Sequence, residues 1–120
     1  LETLGRCDFF LACPGVDMPL SHNLVEAMAV GAIPVTQYGD YFDPPLRDGI
    51  ECIAHSGDDV VSVARAVLAM GDDDIARLRR SVIDYYETYL TPQGFARRVL
   101  RHPAPQLRLG MNFMPTTGAA

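Results

Sequence analysis

The chain has 120 residues, 48% of them hydrophobic, which fits one globular domain or a piece of a larger one and excludes a disordered chain. Its formal net charge of −5 argues against nucleic acid as a partner. Three cysteines without a C-x-x-C pair support neither a disulfide framework nor a zinc site.

The start of the chain, LETLGRCDFFLACPG, has no charged segment before its short apolar run and therefore does not resemble a signal peptide. No apolar run approaches the roughly 20 residues that span a bilayer. We therefore expect a cytoplasmic protein or one peripheral to a membrane. Because the sequence opens without Met and as if inside a helix, it indicates a fragment that lacks its N-terminal part.

Three apolar segments predict β-strands. DFFLAC, residues 8–13, shows no alternation, as in the buried strands of parallel sheets. AIPVTQ, residues 32–37, predicts a second strand, and IECIAH, residues 50–55, alternates weakly and indicates an outer strand. Between the first two strands we expect a helix from Leu20 or Ser21 to Val30, with Gly31 placed to end it.

The second half of the chain is predicted to be helical. An apolar face is expected on the first of these helices, formed by Val60, Val63, Ala64, Val67 and Leu68. The acids of GDDD start the second helix, where they favour its dipole. The helices are predicted from Asp58 or Asp59 to Met70, from Ile75 to Tyr89, and from Pro92, capped by Thr91, to Arg101.

Strands that alternate with helices through short loops predict an α/β fold with a parallel sheet. Only three strands are visible, so we expect a partial, Rossmann-like sheet with flanking helices. Residues 1–101 form this predicted domain, and the Pro-rich segment 102–120 is expected to be a loosely ordered tail.

The junction between the first strand and the first helix is the predicted ligand site, because open α/β sheets bind ligands beyond the carboxyl ends of their strands. The amides at a helix N-terminus favour an anion such as a diphosphate, here around Leu20 to Asn23. Ser21 offers a hydroxyl, and His22 and Asn23 offer side-chain donors. A plain N-cap is the favoured alternative for Ser21.

Glu26 stands in LVEAMAV, a stretch that is otherwise apolar. If this helix is buried on nearly all sides, the carboxylate needs hydrogen-bond donors, which paired ribose hydroxyls would supply. The alternative is that Glu26 lies on a thin exposed strip in contact with water or an arginine. The spacing alone does not decide between the two.

The segments CDFFLACPG and PLSHNLVEAMAVGAIPV resemble the C-terminal, nucleotide-sugar-binding half of GT-B glycosyltransferases. Those proteins carry an apolar strand ending in Pro, a loop, and a helix with EAMA followed by G-x-P-V. The longer pattern SHNLVEAMAVGAIPV…YFDPPLRDG is similar to exostosin-like and related domains. The resemblance covers roughly residues 4–100.

This resemblance implies that Glu26 holds the ribose of a nucleotide-sugar donor. It also implies that the helix start faces the donor's phosphates or sugar, which makes the donor-binding set Pro19, Leu20, Ser21, His22, Asn23 and Glu26. No metal is implied, and no cofactor besides the nucleotide-diphosphate sugar, which is a co-substrate. Possible rim contacts are Tyr38 and Gly39 after the second strand, although a plain turn is the favoured interpretation of each.

The sequence departs from the family's pattern at one position. Many retaining members carry a second Glu eight positions before the Glu of EAMA, and Met18 occupies that position here. Either Asp17 contacts the sugar from a shifted loop, or the chain belongs to a branch without that contact. A turn or cap role for Asp17 is slightly favoured, and both retaining and inverting chemistry stay open.

The predicted function is transfer of a sugar from a nucleotide-diphosphate donor to a hydroxyl of a glycan, lipid or protein acceptor. No catalytic base stands out, so we expect one on a missing N-terminal domain and predict that this fragment alone is inactive. The main alternative is a non-catalytic nucleotide- or glycan-binding or scaffold module of the same fold. A dinucleotide-binding domain is disfavoured, because no G-x-G-x-x-G opens the helix.

Overall fold

The structure is a computed structural model that describes residues 2–14, 20–103 and 106. It has three strands, four α-helices, two short 3-10 turns and one π-helical turn. In chain order these are the 3-10 turn Leu4–Arg6, β1 Phe9–Leu11, α1 His22–Ala29, β2 Ile33–Thr36, the 3-10 turn Gly39–Tyr41, β3 Ile53–Ala54, α2 Val60–Leu68, α3 Asp72–Tyr85, the π-turn Tyr86–Leu90 and α4 Pro92–Arg101.

The strands form one parallel sheet in the order β1-β2-β3. Phe9 pairs with Ile33, and Val35 pairs with Ile53. All four residues of β2 are buried, as expected of a central parallel strand covered on both faces. The predictions of an α/β fold, of a parallel sheet and of an outer position for the third strand are confirmed for the described residues, although each strand is shorter than predicted.

Helix α1 ends in the way that Gly31 predicts. Gly31 has φ +79°, and its amide donates to the carbonyl of Met28 at 3.0 Å. The next amide, that of Ala32, donates to the carbonyl of Ala27 at 2.9 Å. These two bonds form a Schellman motif, which satisfies carbonyls that would otherwise be unpaired and turns the chain into β2.

The core lies between the sheet, α1 and α3. Its largest fully buried side chains include Leu24 and Met28 of α1 and Leu78 and Val82 of α3. Tyr85 is buried, and Tyr86 and Tyr89 pack against the same cluster, so this tyrosine group belongs to the core. The helix predicted from Ile75 to Tyr89 is found as α3, Asp72–Tyr85, followed directly by the π-turn Tyr86–Leu90. The change from α-helical to π-helical backbone was not predicted.

Helices α2 and α4 differ in how well the sequence predicted them, because a cap depends on nearby residues whereas a buried face depends on tertiary packing. On α4, the predicted cap is confirmed, because the Thr91 hydroxyl accepts from the Gly94 amide at 3.0 Å. On α2, the predicted apolar face is only partly right: Val67 is buried, whereas Leu68 is 85% exposed because no described element covers it. The predicted tail lies almost wholly outside the described residues.

None of the helices in the described part of the chain combines the length and apolar character that crossing a bilayer requires.

Candidate functional site

The carboxyl ends of the three strands lie at one edge of the sheet, because the strands are parallel. Ala12 follows β1, Gln37 follows β2 and His55 follows β3 at this edge. Helix α1 comes after β1, so its N-terminus lies on the same side of the sheet as the strand ends. The predicted ligand site is therefore placed at the edge where such sites form.

The first turn of α1 is left without the usual cap. Ser21 is the N-cap residue, but its hydroxyl makes no capping hydrogen bond. Its carbonyl accepts from the Leu24 amide at 3.1 Å. Within the described residues, the amides of His22 and Asn23 have no hydrogen-bond partner. The helix start thus presents a hydroxyl and two amides that a ligand could use.

Of the two arrangements left open for Glu26, the structure excludes the buried one, because its side chain is exposed. Helix α1 buries only one side, formed by Leu24, Ala27 and Met28. At 3.6 residues per turn, Glu26 lies on the opposite side of the helix, together with the exposed His22. The sheet and α3 cover the first side, and no described element covers the second. The alternative of an exposed strip is what the structure shows.

The exposed strip carries polar side chains that have no partner in the described residues. His22, Asn23 and Glu26 are exposed, and none of them forms a hydrogen bond or ion pair there. Leu20, in contrast, is half-buried and packs against the core, so only its backbone is left for a ligand. The other predicted contacts, Pro19, Met18 and Asp17, lie outside the described residues.

The two rim residues predicted after β2 occupy a turn. The Tyr38 amide donates to the Thr36 hydroxyl at 3.0 Å, and its ring meets the Tyr41 ring edge-on with centroids 5.9 Å apart. The Gly39 carbonyl accepts from the amides of Phe42 and Leu46. These contacts are those of a structured turn, which was the favoured alternative for both residues.

Gly39 also lines a cleft of about 250 Å³ at the ends of β2 and β3. None of the residues Ser21 to Glu26 lines this cleft, so the structure does not bring Glu26 and Gly39 into one pocket. The cleft was not predicted from the sequence, although the polar residues directly after β2 and β3, Gln37 and His55, could have indicated it. Its polar lining includes Thr36, Gln37, Asp40, Asp48 and His55.

His55 contributes a buried polar atom to this cleft. Its Nδ1 accepts from the Gly57 amide at 3.1 Å, so Nε2 carries the proton in the neutral ring. Nε2 is buried and has no hydrogen-bond partner among the described residues. One buried donor of the cleft is therefore left for a ligand or water to satisfy.

A loop held by polar contacts forms one wall of the cleft. The Asp48 carboxylate accepts from the Ala54 amide at 2.8 Å, which joins the loop to β3. Glu51 is 5% exposed and accepts from both the side chain and the backbone amide of Arg47. Burial raises the pKa of Glu51, but the hydrogen bonds and charge of Arg47 outweigh it and hold the pKa below its ordinary value.

The cysteine in this cleft has no nucleophilic character. Burial, with a further contribution from Asp48, Glu51 and Asp40, raises the pKa of the Cys52 thiol to about 12. The thiol is therefore protonated at neutral pH, and the thiolate is the reactive form. Covalent catalysis by Cys52 is thus disfavoured in this cleft.

The edge offers hydrogen-bond donors at the α1 start and acceptors on Glu26, Asp40 and Asp48. In the described residues, no three His, Cys, Asp or Glu side chains converge so that they could hold a metal ion. This arrangement suits recognition of an anion beside hydroxyl groups. Comparison of the chain with protein-family models, with curated proteins and with solved structures finds no match.

Proposed function

We propose that the chain is the nucleotide-sugar-binding part of a glycosyltransferase with GT-B architecture, which transfers a sugar from a nucleotide-diphosphate donor to an acceptor hydroxyl. In this proposal the three-stranded sheet is a piece of a larger Rossmann-like sheet. The observation that carries the proposal is the row of polar groups at the start of α1 that have no partner among the described residues, beside the carboxyl ends of parallel strands.

The N-terminus of α1 is suited to the donor's diphosphate. A helix N-terminus carries roughly half a positive charge and amides that point outward. The amides of His22 and Asn23 and the Ser21 hydroxyl have no partners among the described residues, so binding an anion there breaks no existing bond. When the sugar leaves, the same groups stabilise the negative charge that develops on the diphosphate.

Glu26 keeps its proposed role for a different reason than the one its sequence context suggested. Because it is exposed, the carboxylate has no need of a ligand to stay in place. It lies four residues after His22 on the same side of α1, so both side chains extend from one strip. Two adjacent hydroxyls of a ribose can donate to its two free oxygens.

A non-catalytic module of the same fold, which binds a nucleotide or a glycan, is the second candidate. Met18 favours it, since the resemblance predicts an acid at that position in many retaining enzymes. Both candidates use the α1 start, and they differ in whether a bound sugar is transferred.

Titration of the full chain with nucleoside diphosphates tests the proposal. We expect at least one of the UDP, GDP, ADP, CDP and dTDP series to bind, and Glu26→Gln to weaken that binding roughly tenfold or more. A hydrogen bond to a charged group contributes about 1.5–3 kcal/mol, and about 1.4 kcal/mol corresponds to a factor of ten. Isothermal titration calorimetry measures the change.

Asp84→Asn is the matched control. Asp84 is exposed on α3, has no partner in the described residues and loses the same charge on substitution. We expect it to leave nucleotide affinity within about twofold, as is usual for surface substitutions. Absence of binding by every nucleotide, or equal affinities for the two variants, would overturn the proposal. Sugar transfer by a form of the protein that includes any further domain then separates the enzyme from the binding module.

A further inference from the structure

A second cleft lies away from the strand ends, between the π-turn and α4. It has a volume of about 430 Å³. Its lining includes Thr88 and Tyr89 of the π-turn, together with Gly94, Arg97, Arg98 and Arg101 of α4. We call it the arginine cleft. None of the residues assigned to donor binding belongs to it.

The cleft is built by a close approach of α4 to the π-turn. A Cβ at Gly94 would lie 2.3 Å from the Thr88 carbonyl oxygen, so only glycine fits there. The Thr91 hydroxyl bonds both segments, because it donates to the Glu87 carbonyl and accepts from the Gly94 amide. Arg97, Arg98 and Arg101 follow Gly94 at intervals of three, four and seven residues, which places all three on the same side of α4.

Two of the three arginine charges in this cleft are not balanced by an acid among the described residues. Arg98 is paired with the Asp43 carboxylate and also donates to the Asp43 carbonyl. Arg97 only donates to the Glu87 carbonyl at 3.4 Å, and Arg101 has no partner in the described residues. Neither forms an ion pair with a described residue, and none of the described residues that line the cleft is acidic. Two unpaired guanidinium groups thus share one concave surface in a chain whose net charge is −5.

Like charges held on one wall repel each other, and an anion between them removes that repulsion. The planar guanidinium fork donates two parallel hydrogen bonds, a geometry that matches the oxygens of phosphate. We infer that the arginine cleft binds a phosphate-bearing small molecule through Arg97 and Arg101. Arg98, whose charge is balanced by Asp43, holds α4 to the loop at that residue. This inference does not depend on the proposed function, and a non-catalytic module would bind the same ligand.

Inorganic pyrophosphate is the probe, titrated into the full chain by calorimetry at low ionic strength. We expect the double variant Arg97→Gln/Arg101→Gln to weaken binding at least tenfold. Arg65→Gln/Arg80→Gln is the matched control, because Arg65 and Arg80 are exposed, lie outside the cleft and have no partner in the described residues. It removes the same charge and should change the affinity by about twofold or less.

Any one of the following results would overturn the inference: an absence of pyrophosphate binding by the unmodified chain, equal losses in the two double variants, or loss of binding only in Ser21→Ala, which would place the anion at α1. Vesicles of phosphatidylcholine with phosphatidylserine form a further arm. Binding to these vesicles without binding to pyrophosphate would also overturn it, since the arginines would then serve a lipid surface. If the double variant does not fold, the single variants Arg97→Gln and Arg101→Gln are compared with the control in the same way.

Discussion

The two ends of α1 differ in their hydrogen bonds and in how closely other residues pack against them. At its C-terminal end, Gly31 and Ala32 complete a Schellman motif, and the side chains of Arg79 and Ile83 border the glycine closely. At its N-terminal end, roughly 12 Å away for eight residues, Ser21 makes no capping bond and His22 is exposed. One end is closed by backbone bonds and packing, and the other is open.

This difference indicates which parts of the chain serve stability and which are left for ligands. A helix end without partners costs stability unless water or a ligand satisfies its amides. The same contrast separates the buried centre of the sheet from its carboxyl edge, where His55 Nε2 has no partner in the described part of the chain and polar side chains line a cleft. Substitutions at the closed end should therefore affect folding, and those at the open end should affect binding.

The largest expected effect is at the packed side of this comparison. Leu78 of α3 is 1% exposed and belongs to the core cluster. Leu78→Ala should lower the free energy of unfolding by about 2–5 kcal/mol, because it leaves a cavity that neighbours fill only in part. Urea unfolding measures the change. Leu68→Ala, at a site that is 85% exposed, is the control and should cost no more than about 0.5 kcal/mol. Similar losses in the two variants would mean that the core does not lie where the structure places it.

Gly31→Ala tests the closed end of α1 directly. A left-handed conformation costs an L-residue about 1–2 kcal/mol, and the new Cβ would lie 3.1 Å from side-chain carbons of Arg79 and Ile83. We expect a loss of about 2 kcal/mol or more in unfolding free energy. Gly49→Ala separates the two causes, because Gly49 has φ +70° but no atom within 4 Å of the added Cβ. If Gly49→Ala costs as much as Gly31→Ala, the close packing at Gly31 contributes nothing.

The sequence predicted best those features whose signals are local. Thr91, Pro92 and Gly31 end or begin helices through contacts within a few residues of themselves, and all three lie where they were expected. The parallel sheet followed from the apolar strand segments and their alternation with helices. These features depend on backbone geometry and on neighbours in the chain, both of which the sequence contains.

The sequence predicted poorly those features that depend on what covers a surface. Leu68 was expected on a packed face, and the spacing could not decide between burial and exposure for Glu26. Both are exposed, because helical spacing defines a face but does not supply the element that packs on it. The cleft near His55 was missed for a related reason. Its lining spans residues 36–55, and it exists only because the loop around Arg47 and Glu51 folds back toward β3.

The wall of that cleft should respond to pH, in contrast to the apolar centre of the sheet. Arg47 holds the pKa of the Glu51 carboxyl below its ordinary value of 4.5, even though burial acts in the opposite direction. A lowered pKa in the folded state stabilises the fold above the unfolded-state pKa, and this contribution is lost as the pH falls through the folded-state pKa.

We therefore expect the unfolding free energy of the unmodified chain to fall more steeply on acidification than that of Glu51→Gln. The extra loss in the unmodified chain should be smaller than the loss caused by Gly31→Ala. Urea unfolding at neutral and acidic pH gives both slopes, and the comparison cancels the contributions of the other carboxylates. Parallel pH profiles would show that the Arg47–Glu51 contacts contribute nothing to stability.

The smallest expected effect is the most informative about the open end of α1. Thr91 and Ser21 are both N-cap residues, but only the Thr91 side chain accepts a hydrogen bond from its helix. Removing a working cap costs about 1 kcal/mol, so Thr91→Ala should lower the unfolding free energy by about that amount. Ser21→Ala should lower it by less than about 0.5 kcal/mol, since no capping bond is lost.

In the presence of a nucleoside diphosphate that binds, the loss of unfolding free energy caused by Ser21→Ala should exceed the loss caused by Thr91→Ala. The reason is that Ser21→Ala then removes a ligand contact and reduces the stabilisation that the ligand provides. If Ser21→Ala without ligand lowers the unfolding free energy by as much as Thr91→Ala does, the Ser21 hydroxyl already caps α1. That hydroxyl would then not be available to bind the donor.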